Sequence, residues 1–158
     1  MRPKELSLRP ATLDDARRLW NWRNDLDTRM NSVTQQKVPW ESHLTWLTTS
    51  LRNPSRILLI AEERGVPVGT VRYDLRPNPS DWELSWTVAP EARGQGVGTR
   101  LVAEALRAHS GQRLWARIKS ENRASIAIAE KVGLQFSHRE EELLWFVYEA
   151  TVGRSDEA

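Results

Sequence analysis

The chain of 158 residues contains no cysteine. This absence excludes disulfide bonds, metal centres built on thiolates and a cysteine nucleophile. Lysine is scarce as well, since four of the 23 cationic residues are lysine and the rest are arginine. With 21 acidic residues the formal net charge is +2. So small a charge, with a run of three glutamates at 140–142, argues against a protein that binds nucleic acid.

Long apolar stretches are also missing. No run approaches the roughly 18 apolar residues of a membrane span, and the start of the chain lacks the apolar centre of a signal peptide. We therefore expect a cytoplasmic protein that does not bind membranes. The length and the 39% hydrophobic content predict one domain over residues 1–152, followed by a disordered tail at 153–158.

The most informative stretch, residues 81–108, reads as a strand, a glycine-rich turn and a helix. Apolar and polar residues alternate up to Val88, and Pro90 ends the strand. Glycines then stand at 94, 96 and 98, and apolar residues at helical spacing follow from Leu101. A turn that opens a helix presents unpaired backbone N–H groups and a positive helix end to an anion. The stretch therefore predicts a site for a phosphorylated ligand.

Two familiar phosphate motifs do not fit this turn. A P-loop requires lysine and then serine or threonine after its last glycine, whereas Thr99 and Arg100 follow Gly98. A dinucleotide fingerprint requires a third glycine at position 99 and an acidic residue at the end of the next strand. Residues 113–119 contain no acidic residue.

The run from Arg93 to Gly98 does fit the Q/R-x-x-G-x-G/A signature, and it resembles the coenzyme A loop of the GNAT superfamily of acetyl-CoA-dependent N-acetyltransferases. The segment from Asn122 to Ser125, which leads to residues 130–134, is similar to the second signature of that family. The resemblance implies acetyl-CoA as co-substrate and no metal. The residues that it assigns to the coenzyme are Thr87, Val88, Arg93, Gly94, Gln95, Gly96, Val97, Gly98, Thr99, Asn122 and Ser125.

The remaining periodicities predict an α/β chain whose element order matches the GNAT fold. That fold is a mixed, mostly antiparallel sheet of about seven strands flanked by about four helices. We expect helices after Thr12, over 41–51, after Gly98 and over 122–132, with an irregular polar connection at 26–39. The predicted strands cover residues 6–9, 56–62, 68–73, 82–88, 113–118, 136–139 and 143–149.

Direct acetyl transfer requires a base for the attacking amine, polarisation of the thioester and an acid for the leaving thiolate. Glu83 is the candidate base, because it lies on the central strand and nearby tryptophans would raise its pKa by desolvation. The alternative is an ordinary surface glutamate. The resemblance implies that backbone N–H groups near Thr87 and Val88 polarise the thioester. Many members of the family carry a tyrosine as the thiolate acid where this chain has Ala129, so Ser125 is the candidate acid, with Tyr148 or water as alternatives.

The N-terminal third resembles N-acetyltransferases of the pseudaminic-acid pathway, which acetylate a UDP-linked amino sugar. The similarity rests on Trp22-Arg23-Asn24, on Arg29 and on His43-x-x-Trp46. It implies that Arg23, Arg29, His43 and Trp46 bind the acceptor, a small-molecule amine of the nucleotide-sugar type. The alternative is that the tryptophans pack the first two helices while the arginines extend to solvent.

Two other functions stay open at this point. Ribosomal-protein-alanine N-acetyltransferases also have a serine near position 125 and lack the tyrosine, so a peptide N-terminus is a second acceptor class. The second alternative is a GNAT module that binds coenzyme A without catalysis. The protein is expected to be a monomer or a homodimer.

Overall fold

A computed structural model describes residues 5–109 and 111–149, so the predicted tail at 153–158 lies outside the described residues. One sheet of seven strands has the order β1-β2-β3-β4-β5-β7-β6. Every neighbouring pair is antiparallel except β4 and β5, which are parallel. The strands are β1 (Leu6–Pro10), β2 (Arg56–Glu63), β3 (Val66–Leu75), β4 (Asp81–Val88), β5 (Arg113–Lys119), β6 (Gln135–Glu140) and β7 (Leu143–Tyr148).

Helices cover both faces of this sheet, as the predicted fold class requires. They are α1 (Ala16–Asn24), α2 (Leu26–Met30), α3 (Trp40–Arg52), α4 (Val97–Ala108) and α5 (Arg123–Val132). The prediction of about four helices missed α2, a short helix whose N-cap Asp25 accepts a hydrogen bond from the Thr28 N–H. The helix expected after Gly98 begins at Val97, so this glycine lies inside the first turn of α4.

The core lies between α4 and the middle of the sheet. Leu101, Val102 and Ala105 on α4 are fully buried, as the apolar spacing of that helix predicts. The Tyr73 hydroxyl of β3 donates to the Ala105 carbonyl at 2.8 Å, which fixes the helix to the strand. On the other face α3 packs over β2, where Arg56 Nη1 donates to Ser50 Oγ at 2.9 Å. A polar face of the sheet is therefore left beneath the N-terminal helices.

A buried carboxylate joins the first helical segment to the sheet. The side chain of Asp15 is 1% exposed and accepts two hydrogen bonds from the Arg9 guanidinium, each of 2.9 Å. It also accepts from the Thr12 N–H at 2.9 Å, which completes a capping box. Burial alone would raise the pKa of Asp15, but the hydrogen bonds from Arg9 and Thr12 prevail and lower it.

We predict that Asp15→Asn lowers the free energy of unfolding at pH 7 by about 2 kcal/mol, because hydrogen bonds from a cation to a carboxylate are lost. The pKa of Asp15 is lower in the folded than in the unfolded state. Its stabilisation is therefore complete above the unfolded value of about 3.9 and is lost as the pH falls through the folded value. Urea denaturation between about pH 7 and pH 3 measures this, with Asp14→Asn, at an exposed position, as the control. A difference between wild type and Asp15→Asn that does not shrink at low pH would contradict the assignment.

Candidate active site

The two parallel strands separate soon after they begin to pair. β4 pairs with β5 only from Asp81 to Glu83, where Glu83 lies opposite Trp115. Beyond this point β4 stays paired with β3 as far as Val88, while its other edge opens. A cavity of about 430 Å³ lies at this opening, between the strands and the α1–α3 segment.

Both predicted catalytic side chains and most of the predicted acceptor-binding side chains line this one cavity. Arg29 is an exception, because its guanidinium donates to the Asn24 and Gln35 carbonyls and so holds the connection after α2 in place. The predicted residues that line the cavity are Glu83, Thr87, Asn122, Ser125, Arg23, His43 and Trp46.

The glycine-rich loop lies at the N-terminus of α4. Gly94 and Gly96 both have a φ of +76°, a conformation that side chains with a Cβ rarely adopt. Among the described residues, no side chain caps the first turn of α4, and that turn contains no acidic residue. A Cβ at Gly94 would meet no atom within 4 Å, so the space in front of the loop is open. Free N–H groups, a positive helix end and open space fit the pyrophosphate of a coenzyme.

The side chains of this loop make contacts that the sequence did not predict. The Arg93 guanidinium donates to Asp25 Oδ2 at 2.6 Å and to Thr28 Oγ1 at 3.0 Å. Burial would raise the pKa of Asp25, but the bonds from Arg93 and the Thr28 N–H lower it. The predicted coenzyme residue Arg93 is thus tied to α2. On the other side, Arg100 donates to the Gln95 carbonyl at 3.0 Å and steadies the loop backbone.

Close contact between α4 and α5 fixes the position of the loop. A Cβ at Gly98 would come within 2.5 Å of Ile128 Cδ1 and within 3.4 Å of Val88 Cγ2. Glycine is therefore required here for packing rather than for its backbone conformation. The helices that follow the two diverging strands meet at this residue.

Only one of the two predicted backbone donors on β4 is directed into the opening. The Ala89 N–H bonds to the Val68 carbonyl at 2.8 Å. Because N–H groups alternate along a strand, the Thr87 N–H also points to β3 and the Val88 N–H points into the gap. Thr87 lines the cavity, as does Trp86, whose indole Nε1 is buried with no hydrogen-bond partner among the described residues.

Glu83 is held by cations in the cavity wall. Its side chain is 18% exposed and lies 3.2 Å from Arg117 Nε and 3.9 Å from Arg76 Nη1. The Arg76 guanidinium in turn lies over Trp115 and Trp145, with 5.4 and 4.8 Å to the ring centroids. The expected tryptophans are therefore in contact with the Arg76 guanidinium, and the carboxylate is ion-paired.

The residues at the start of α5 combine structural roles with exposure to the cavity. Asn122 Oδ1 accepts from the Ser125 N–H at 3.2 Å and so caps the helix, and both side chains line the cavity. Ala129, at the position of the family's tyrosine, is fully buried. Tyr148 lies beside Gly133 at the opposite end of α5, outside the cavity lining.

His43 lies at the base of the acceptor side of the cavity. It is fully buried, and its Nε2 donates to the Ala16 carbonyl at 3.0 Å. Burial lowers the pKa of His43, the bond to Ala16 opposes this, and the nearby charge of Arg23 lowers it further. The ring is therefore neutral at pH 7 and stacks on Trp46 at 5.7 Å. Its visible role is to support Trp46.

The sequence reasoning missed several residues of the cavity wall. They come from β3, β4 and β5, and long-range strand pairing brings them together. Polar residues at alternate positions of β3 were the available signal, because Thr70, Arg72 and Asp74 interrupt an otherwise apolar strand. The missed lining residues include Arg72, Ser85, Trp86, Arg117 and Lys119.

Residues 5–109 and 111–149 contain neither a membrane-spanning helix nor a cluster of metal ligands. No helix there is long and apolar enough to cross a membrane. No group of three or more histidine, aspartate or glutamate side chains in the same ranges is placed to hold a metal ion.

Comparison with known proteins identifies the family. The chain is 32% identical to L-2,4-diaminobutyric acid acetyltransferase of Nocardia farcinica (strain IFM 10152) over an alignment of 142 positions that covers 82% of this chain and 67% of the relative. It is 29% identical to a ribosomal-protein-alanine N-acetyltransferase from Brucella melitensis, with a TM-score of 0.72 over 90% of this chain and 99% of that one. Spermidine N-acetyltransferase from Vibrio cholerae, solved with CoA and spermine, shares the fold at 15% identity, with a TM-score of 0.78 over 90% of this chain and 92% of that one. The model of the acetyltransferase (GNAT) domain matches residues 5–135, so the chain belongs to the GNAT family of acetyl-CoA-dependent N-acetyltransferases.

Proposed function

We propose that this N-acetyltransferase acetylates a small-molecule primary amine by direct transfer inside the cavity at the strand opening. One observation carries the proposal. The cavity contains the candidate base Glu83 and the candidate acid Ser125, and it reaches the part of β4 whose Val88 N–H is directed into the gap. A base, an acid and an oxyanion donor are the groups that this transfer requires.

Each of these groups has a defined task. Acetyl-CoA, when bound, supplies a thioester whose acetyl carbon forms the amide with the amine while its C–S bond breaks. Glu83 accepts the proton that the attacking ammonium must lose, and Arg117 keeps this carboxylate in position. The Val88 N–H stabilises the negative charge that develops on the carbonyl oxygen. The Ser125 hydroxyl donates a hydrogen bond to the departing thiolate and relays a proton to it, and a proton from water restores the hydroxyl.

The loop at the N-terminus of α4 is the proposed coenzyme site. Backbone N–H groups between Gly94 and Thr99 would bind the pyrophosphate, since in the described part of the chain no side chain accepts hydrogen bonds from the first turn of the helix. Arg93 contributes through its peptide group while its guanidinium holds Asp25. Asn122 and Ser125 border the path from this loop into the cavity.

For the acceptor we propose an amine that carries further polar groups, with a nucleotide-linked amino sugar as the first candidate. Arg23 and Trp46 in the cavity wall support it, because they offer a cation and an aromatic face. A diamino acid is supported by the 32% identity to a diaminobutyric acid acetyltransferase. The second candidate function, acetylation of a peptide N-terminus, is favoured by the 29% identity to a ribosomal-protein-alanine N-acetyltransferase.

The test is release of the coenzyme A thiol from acetyl-CoA with three acceptor types in parallel. These are a UDP-linked 4-amino sugar, L-2,4-diaminobutyrate and short peptides with free alanine or serine N-termini. Turnover with a small amine supports the proposal, and turnover with peptides alone replaces it by the second candidate. Binding of acetyl-CoA without turnover of any acceptor would indicate a module that is catalytically silent.

We predict that Gly96→Asp raises the dissociation constant of coenzyme A by about 100-fold, because it adds a negative charge at the N-terminus of α4, where the pyrophosphate would bind. A Cβ at this position would lie 3.1 Å from Arg100 Nη1, so any substitution here also displaces that side chain. Gly96→Asn is the matched control: asparagine has nearly the same shape, tolerates the φ of +76° and carries no charge. Titration calorimetry with coenzyme A measures both variants. Equal affinities for the Asp and Asn variants would remove the loop from the coenzyme site.

We predict that Glu83→Gln lowers kcat/KM by about 100-fold near pH 7 and by less near pH 9, because a base matters most while the amine is protonated. The pH–rate profile of an accepted amine measures this, with the exposed Glu91→Gln as the control. A thermal midpoint near that of wild type shows that Arg117 tolerates the loss of its partner. A profile parallel to that of wild type at every pH would exclude Glu83 as the base.

A further inference from the structure

Arg23 differs from the other arginines of the cavity wall in its partners. Arg72 donates to Asp74 at 2.8 Å and Arg117 is paired with Glu83. Arg56, outside the cavity lining, donates to the same Asp74 at 2.6 Å. Arg23 has no carboxylate and no hydrogen-bond acceptor among residues 5–109 and 111–149. Within these ranges its guanidinium lies over the face of Trp46, at 5.1 Å from the ring centroid.

The surroundings of Arg23 disfavour an isolated cation. Burial lowers its pKa, and the neighbouring charges of Arg72 and Arg56 lower it further. Those two arginines are themselves paired with one carboxylate, Asp74. Partial burial of an unpaired charge beside like charges costs free energy, which a bound anion would recover.

The carboxylate and this cation line one cavity. Glu83 and Arg23 are both among its lining residues, and Glu83 is the proposed acceptor of the ammonium proton. Lys119, another cation of the wall, donates to the Met30 carbonyl at 2.9 Å. The acceptor side therefore offers a negative group for an amine and an uncompensated guanidinium for a group of opposite charge.

We infer that Arg23, with Arg72 beside it, binds an anionic group of the acceptor, so that the substrate carries a carboxylate or a phosphate on the same molecule as its reactive amine. The inference rests on the proposed function, and it narrows the acceptor class. A polyamine that carries only cations is excluded as the preferred acceptor, because it would meet Arg23 and Arg72 with like charge.

Two matched pairs of acceptors test the inference and separate the two sources of the anion. L-2,4-Diaminobutyrate and 1,3-diaminopropane share both amines and differ by the carboxylate. The UDP-linked 4-amino sugar and the free 4-amino sugar differ by the diphosphate and its nucleoside. We expect kcat/KM to be at least about 30-fold higher for the anionic member of one pair, which also identifies the anion.

The decisive variant is Arg23→Met, which keeps an unbranched side chain close in size to the apolar part of arginine and removes the charged guanidinium. It is expected to raise KM for the preferred anionic acceptor by about 100-fold, with kcat and the KM for acetyl-CoA changed little. Arg23→Lys should restore part of the loss. Arg17→Met is the control. Arg17 is on the same helix as Arg23 but lies outside the cavity lining, where its guanidinium is over the ring of Trp40.

A structural role for Arg23 would give different results. Removal of an uncompensated cation should leave the thermal midpoint unchanged or raise it, whereas loss of a structural contact would lower it. Calorimetric binding of both acceptor pairs, with coenzyme A present, gives a readout that does not require turnover. Loss of binding of the anionic member in Arg23→Met supports the inference even if the proposed catalysis fails. Equal affinity and equal kcat/KM within both pairs, or an equal effect of Arg23→Met on both members, would overturn it.

Discussion

The arrangement of the site depends on the early separation of β4 from β5. Parallel pairing ends at Glu83, while antiparallel pairing with β3 continues to Val88. The helices that follow these two strands meet at Gly98, where a side chain would collide with Ile128. A strand edge with unpaired N–H groups is costly unless something occupies it. Here it borders the cavity that the candidate catalytic side chains line.

The coenzyme loop and the acceptor side are physically connected. Arg93, next to the glycines, bonds to Asp25 and Thr28 at the start of α2. Residues from Thr28 to Val38 form much of the cavity wall, and Asn24 fixes the end of that connection through both backbone groups of Val38. A displacement of the loop would therefore be transmitted to the acceptor wall through the ion pairs of Arg93 with Asp25 and Asp27.

Much of the fold follows from local patterns. The capping box at Thr12, the alternation along β4 and the apolar face of α4 are short-range signals, and the structure contains all three. The short helix α2 was missed because it is stabilised by the Asp25 cap and by the long-range bond from Arg93, and five residues carry no periodicity of their own. For the same reason, the ion pair between Glu83 and Arg117 was not predicted: it joins neighbouring strands that are distant in the chain.

The sequence by itself determined the family, the glycine-rich turn before α4 and most of the order of elements, because each rests on residues close together in the chain. Tertiary structure decided which of the predicted side chains share a cavity. In the structure, Arg29 holds the backbone of the connection after α2, and His43 is buried beneath Trp46. Arg23 lies over Trp46 and has no carboxylate partner among the described residues. Charge compensation depends on distances between residues from different strands and helices. No local pattern records these distances, so the electrostatic character of the acceptor site emerged only with the fold.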